Sequence, residues 1–106
     1  MSEASLQRQS ANRYTLSGPL TFATVPAVYR EAGSAFLGDA ETGRPVELSL
    51  DSVGRCDSAG LALLLEWLRM ARERGVELRL SGLPVQLEDL MRVSDLDEVL
   101  EGLRPA

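Results

Sequence analysis

Apolar and polar residues alternate along SLQRQS (residues 5–10) and again along RYTLSG (13–18), with Ala11 and Asn12 between them, which predicts a short antiparallel hairpin at the N-terminus. The period then changes. Val25, Val28, Ala32 and Phe36 recur at helical spacing behind Thr24, a good capping residue. Pro26 falls in the first turn, where its missing N–H costs little, so a helix is expected over residues 24–37. Past the turn-rich GDAETGRP, VELSL sets Val46, Leu48 and Leu50 on one face of a strand. A second helix is expected from Ser58 to Arg74, closed by Gly75. VELRLSG follows as a strand with Val76, Leu78 and Leu80 inward, and Pro84 opens a helix carrying Leu87, Leu90 and Met91. Ser94 with Asp97 resembles a capping box ahead of LDEVLEGL.

Strands alternating with helices imply parallel pairings joined by right-handed crossovers, beside the antiparallel hairpin. The expected fold class is α/β: a small mixed β-sheet in a single domain over residues 1–106, a length suited to one two-layer core. Glu47, Ser49, Glu77 and Arg79 occupy the second face of their strands. That face is expected to be wet, with helices covering only the other.

The middle helix divides three ways on a wheel. Leu61, Leu64, Leu65, Leu68 and Ala71 share a core stripe, and Ala62, Glu66, Arg69 and Glu73 form a polar face. Leu63, Trp67 and Met70 lie on a flank turned about 120° from the core centre. Either a neighbouring helix covers them, or they make an exposed apolar strip running back from Ser58, as at a docking surface. The border position of Trp67 predicts partial exposure.

At the start of that helix stands Asp57-Ser58-Ala59-Gly60. Ser58 has two readings there: an N-cap shared with Asp57, or an accessible hydroxyl that a macromolecule or a phosphate can reach between small neighbours.

Composition removes many chemistries. There is no histidine, and all 11 basic residues are arginine. Without histidine there is no Ser-His nucleophile pair, and without lysine no phosphate-binding loop of the G-x-x-x-x-G-K-[ST] type and no Schiff base. The net charge of −5 argues against a nucleic-acid surface, and residues 84–106 alone carry −4, a solvated helical face or a contact for a basic partner. A single cysteine, Cys56, closes no internal disulfide, and MSEASLQRQS lacks the basic start and apolar stretch of a secretory signal, so a cytoplasmic location is expected. The longest unbroken apolar run, Leu61 to Leu65, is far short of a membrane span.

LSGPLT in an early strand, the central VELSLDSVGRCDSAGLALLLEWLRMARERGVELRLSGLP and the final helices together resemble a STAS domain, the fold of the anti-sigma factor antagonists, over nearly the whole chain. The most specific part is a D-[ST]-x-G-L segment, here Asp57, Ser58, Ala59, Gly60 and Leu61. There the family carries a hydroxyl that is phosphorylated or touches a partner. GLALLL, the helix ending in basic residues and glycine, and LSG before a polar loop are most similar to the MlaB type, the cytoplasmic subunit of the bacterial Mla phospholipid ABC transporter that maintains outer-membrane lipid asymmetry. That resemblance implies an ABC-transporter ATPase subunit (MlaF-like) as partner, with a permease (MlaE-like) in the same complex, and a place peripheral to the inner membrane. It implies no catalysis, no cofactor, no metal, no nucleic acid and no direct membrane insertion. The residues expected at the partner are Asp57, Ser58, Ala59, Gly60, Leu63, Trp67 and Met70. The MlaB-like pattern carries threonine where this chain has Ser58, as many sigma-regulating relatives do. An anti-sigma factor antagonist switched by serine phosphorylation is therefore the alternative.

Overall fold

Asn12 turns the chain back on itself at φ 60°, a left-handed value that asparagine tolerates better than most residues. The computed structural model describes residues 3–32, 44–96 and 98. The turn joins β1 (Ser5–Ser10) to β2 (Arg13–Leu20), and these are followed by α1 (Val25–Ala32), β3 (Val46–Cys56), α2 (Ser58–Glu73), β4 (Leu78–Ser81) and α3 (Val85–Val93). Asn12 is buried, and its side-chain amide donates to the Pro45 carbonyl at 3.3 Å while its own carbonyl accepts from Glu47 N–H at 2.8 Å. One polar residue thus closes the hairpin and seats the start of β3.

The sheet order is β1-β2-β3-β4, antiparallel in the first pair and parallel in the other two, as the element order predicts. Leu16, Leu20, Val46, Leu48, Leu50 and Leu80 fill one face. The other is wet and carries exposed ion pairs of Arg13 with Glu47 and of Arg79 with Glu77. β3 is longer than VELSL, because twice it advances three residues where β2 advances two: Ser49 to Ser52 against Thr15 to Ser17, and Val53 to Cys56 against Gly18 to Leu20. Such bulges break the period-two pattern and leave Asp51, Ser52, Gly54 and Arg55 exposed. Alternation therefore fades after Leu50 although the strand continues to Cys56.

The three described helices α1, α2 and α3 lie over the apolar face. Val28 of α1, Leu87 and Met91 of α3, and Leu61, Leu63, Leu64, Trp67 and Ala71 of α2 are buried there. The expected strip on α2 is corrected by this packing: Trp67 is 0% exposed and Leu63 3%, both in the core, and Met70 is half-buried against it. Leu65 and Leu68, assigned to the core stripe, are only half-buried. The cause is Gly60. A Cβ there would meet the Leu20 carbonyl oxygen at 2.7 Å and Cys56 Sγ at 2.8 Å, so only glycine lets the helix start sit on the strand ends. With Gly60 facing the sheet, Leu64, Trp67 and Ala71 follow it inward at helical spacing, and α1 and α3 pack against α2.

α2 ends as expected, with Gly75 at φ 69° and the Val76 and Gly75 N–H groups donating to the Ala71 and Arg72 carbonyls at 2.8 and 3.1 Å. The Phe36 end of the first predicted helix lies outside the described residues, as does Asp97 of the proposed capping box. Ser94 is the C-cap of α3.

Two outcomes follow from the seat of α2. Trp67→Ala is expected to cost about 3–5 kcal/mol in a denaturant titration, the loss typical of a buried aromatic; a change under about 1 kcal/mol would contradict its core position. Gly60→Ala gains about 1 kcal/mol of helix propensity, yet is expected to lower stability by about 1–3 kcal/mol through the clash with Leu20 and Cys56. A rise in melting temperature for this variant would show the contact to be soft.

Candidate functional site

Asp57 carries out the capping at the start of α2. Its backbone is extended, its N–H donates to the Leu20 carbonyl at 3.0 Å, and its own carbonyl accepts the helical bond from Leu61 N–H at 3.2 Å. One carboxylate oxygen, Oδ1, accepts from Ala59 N–H at 2.8 Å, satisfying a donor that the helix leaves open. The other, Oδ2, accepts from Phe22 N–H at 3.1 Å and ties down the loop between β2 and α1. Ser58 is exposed, and its hydroxyl has no partner among the described residues. The cap is therefore Asp57 alone, and the Ser58 hydroxyl is left open to solvent.

Three chain segments meet at this end of the sheet. Leu20 and Cys56 are paired at the ends of β2 and β3. From the third segment, Gln86 in the first turn of α3 accepts the Cys56 N–H on its side-chain oxygen at 3.0 Å. Phe22, on the loop between β2 and α1, and Val85, at the start of α3, are 78% and 72% exposed. The sequence pattern does not single them out: Phe22 falls between two threonines in LTFAT, outside any apolar period, and Val85 reads as an ordinary helix residue after Pro84.

Of the residues expected at a partner, Asp57, Ser58, Ala59 and Gly60 form one turn, with Ser58 outermost, Asp57 and Ala59 half-buried and Gly60 buried in its structural seat. Leu63 and Trp67 are inside the protein, away from that surface. The side of α2 that continues from Ser58 carries Ala62, Leu65 and Arg69, which lie within about 60° of one another around the axis at 100° per residue. Ala62 and Arg69 are exposed and Leu65 half-buried, so this side of α2 is largely open to solvent beside Ser58. Arg69 is held there between Glu66 and Glu73, and its hydrogen bond keeps the Glu66 carboxyl below the ordinary range. Surface pairs of this kind add little stability but fix the side chain in place.

Cys56, next to the site, is buried, and desolvation together with the Asp57 carboxylate pushes its thiol from 9.0 up to about 11. It is a neutral thiol at neutral pH, not a nucleophile. The unfolded chain loses this proton near pH 9 and the folded chain only near 11. The contribution is therefore complete below pH 9 and disappears as pH rises from 9 to 11, a loss on the order of 1–2 kcal/mol. Denaturant midpoints for the native chain and for Cys56→Ala across that range are expected to differ in slope, the variant being flatter. Parallel curves would show the thiol to be indifferent to folding.

A family model described as MlaB, STAS domain, matches residues 5–104. Among solved structures, the fold is similar to that of a sulfate transporter family protein from Wolinella succinogenes, with a TM-score of 0.62 and 24% identity over 89% of this chain and 74% of that one. No curated protein sequence matches significantly. With the four-stranded mixed sheet, the helices on one face and the D-S-A-G-L turn at the start of α2 all inside the matched span, the chain belongs to the STAS domain family.

Proposed function

We propose that this domain is the non-catalytic cytoplasmic subunit of a bacterial phospholipid-transport ABC complex of the Mla type. It binds the ATPase subunit through Ser58 and the adjoining outer side of α2, with the permease in the same assembly, and so supports outer-membrane lipid asymmetry from a position peripheral to the inner membrane. The observation that carries this reading is the Ser58 hydroxyl, exposed and without a structural task because Asp57 caps the helix and Gly60 seats it. A surface hydroxyl followed by the small Ala59 leaves room for a macromolecule to approach closely. The description of the matching family model, MlaB, favours the transporter over other STAS settings. No described helix is long and apolar enough to cross a membrane, which fits attachment through a complex.

The same hydroxyl supports a second reading, an anti-sigma factor antagonist switched by phosphorylation. Serine stands at the position, and a phosphate on it would meet the helix dipole and the open N–H groups of the first turn.

Ser58→Asp separates a contact residue from a structural one. A carboxylate at a helix start suits the dipole, so stability is expected to change by less than about 1 kcal/mol. At an interface the same change buries an unpaired charge and costs several kcal/mol, so affinity for the ATPase subunit should fall more than a hundredfold. Unaltered affinity, measured by calorimetry, would remove Ser58 from the interface. The purified chain is also expected to hydrolyse no ATP, since the sequence contains no lysine to hold the phosphates. Turnover above a heat-killed control, with contaminating ATPase excluded, would overturn the non-catalytic assignment.

A further inference from the structure

Phe22 leaves 78% of its surface in water, yet the loop that bears it is closely tied. Thr24 Oγ1 donates to the Pro19 carbonyl at 2.6 Å and accepts from Thr21 N–H at 3.0 Å. Thr21 Oγ1 accepts from Ala23 N–H at 3.2 Å, and the Thr21 carbonyl accepts from the Thr24 and Val25 N–H groups at 3.0 and 2.9 Å. At the centre of this set, the Phe22 amide is held by Asp57 Oδ2. These hydrogen bonds offset the conformational entropy of ordering the loop, but leaving a phenyl ring in water forgoes its burial. That burial is recovered if a partner covers the ring, and an aromatic presented on an already ordered backbone binds without a further ordering cost.

We infer that Phe22 is a second anchor for the partner that meets Ser58, and that Asp57 is the positioning residue that sets it. Oδ1 fixes the start of α2, which carries Ser58, while Oδ2 fixes the loop that carries Phe22, so one carboxylate holds both contacts in register. The inference rests on the reading that Ser58 docks on an ABC ATPase subunit. It adds the chemistry of the complementary surface: an apolar pocket for the phenyl ring beside a hydrogen-bonding group for the serine hydroxyl.

Asp57→Asn isolates the positioning role. Asparagine caps helices about as well as aspartate, so an oxygen remains for Ala59, but the other arm becomes an NH₂ donor facing the Phe22 N–H. With the purified ATPase subunit as probe, Phe22→Ala is expected to weaken binding about 30-fold. Asp57→Asn should weaken it about tenfold and add nothing in the Phe22→Ala background, since it acts through that ring. Melting temperatures should stay within a few degrees of the native chain. In the free protein, hydrogen exchange at the Phe22 amide should speed up in Asp57→Asn while exchange at Ala59 does not. Full affinity in Phe22→Ala together with a loss in Ser58→Asp would overturn this inference and leave the proposed function standing. Additive losses in the double variant, or unchanged protection of the Phe22 amide, would overturn the positioning role of Asp57. A native chain that does not bind the ATPase subunit would overturn the proposed function and this inference with it.

Discussion

The structure depends on one close approach: Gly60 of α2 against the Leu20 carbonyl and Cys56 Sγ, where even a methyl group would collide. Once Gly60 faces the sheet, the helical step of about 100° per residue decides the rest of α2. Leu64, Trp67 and Ala71 are carried inward, and Trp67 becomes the largest fully buried side chain. Ser58, two residues earlier, is carried about 160° away and outward. The burial of the tryptophan and the exposure of the serine are therefore two results of the same contact, at opposite sides of one helix.

That contact requires β2 and β3 to end level, and β3 has more chain to place than β2. From Leu16 to Leu20 on one strand and from Leu50 to Cys56 on the other, both ends face the core, but β3 spends two more residues on the way. The two bulges absorb them. Each alone would reverse the facing of every later side chain, and together they restore it, so Cys56 points inward again beside Leu20. Asp57 then leaves the strand in extended conformation with its N–H still on Leu20, its carboxylate placed between the helix start and the Phe22 loop.

What the sequence discloses follows the same lines. The hairpin, VELSL, VELRL and the close of α2 at Gly75 are legible because each has an unbroken period or a residue with one conformational use. The one-sided cover of the sheet is legible from Glu47, Ser49, Glu77 and Arg79. The continuation of β3 is not, because its bulges erase alternation over residues 51–55. Nor is the inward face of α2, since Leu61, Leu63, Leu64, Leu65 and Leu68 offer apolar groups over most of its circumference. Counting hydrophobic residues then places the core centre too far toward Leu65 and Leu68. The deciding residue is Gly60, which has no side chain to count and acts by what it leaves room for. In the turn itself, the residue types of Asp57 and Ser58 admit either as cap, and only the carboxylate geometry assigns that task to Asp57. Phe22 escapes for a different reason: one aromatic residue in a short loop has no periodicity, and its placement depends on a hydrogen bond to a residue 35 positions away.

The run of small residues at the head of α2 thus divides several demands among neighbours that cannot exchange places. Asp57 supplies the oxygens that the open N–H groups need, and Gly60 supplies the absence of a side chain where the helix meets the strands. Ala59, half-buried between them, adds no bulk and donates the capped N–H. Only Ser58 is left without a structural obligation. A residue in that position can gain a partner, or a charge, without disturbing the core, because the groups that hold the helix in place lie on the residues either side. The fold thus keeps its stability on the residues either side of Ser58, and in the proposed docking role a change at Ser58 alters binding while the domain remains folded.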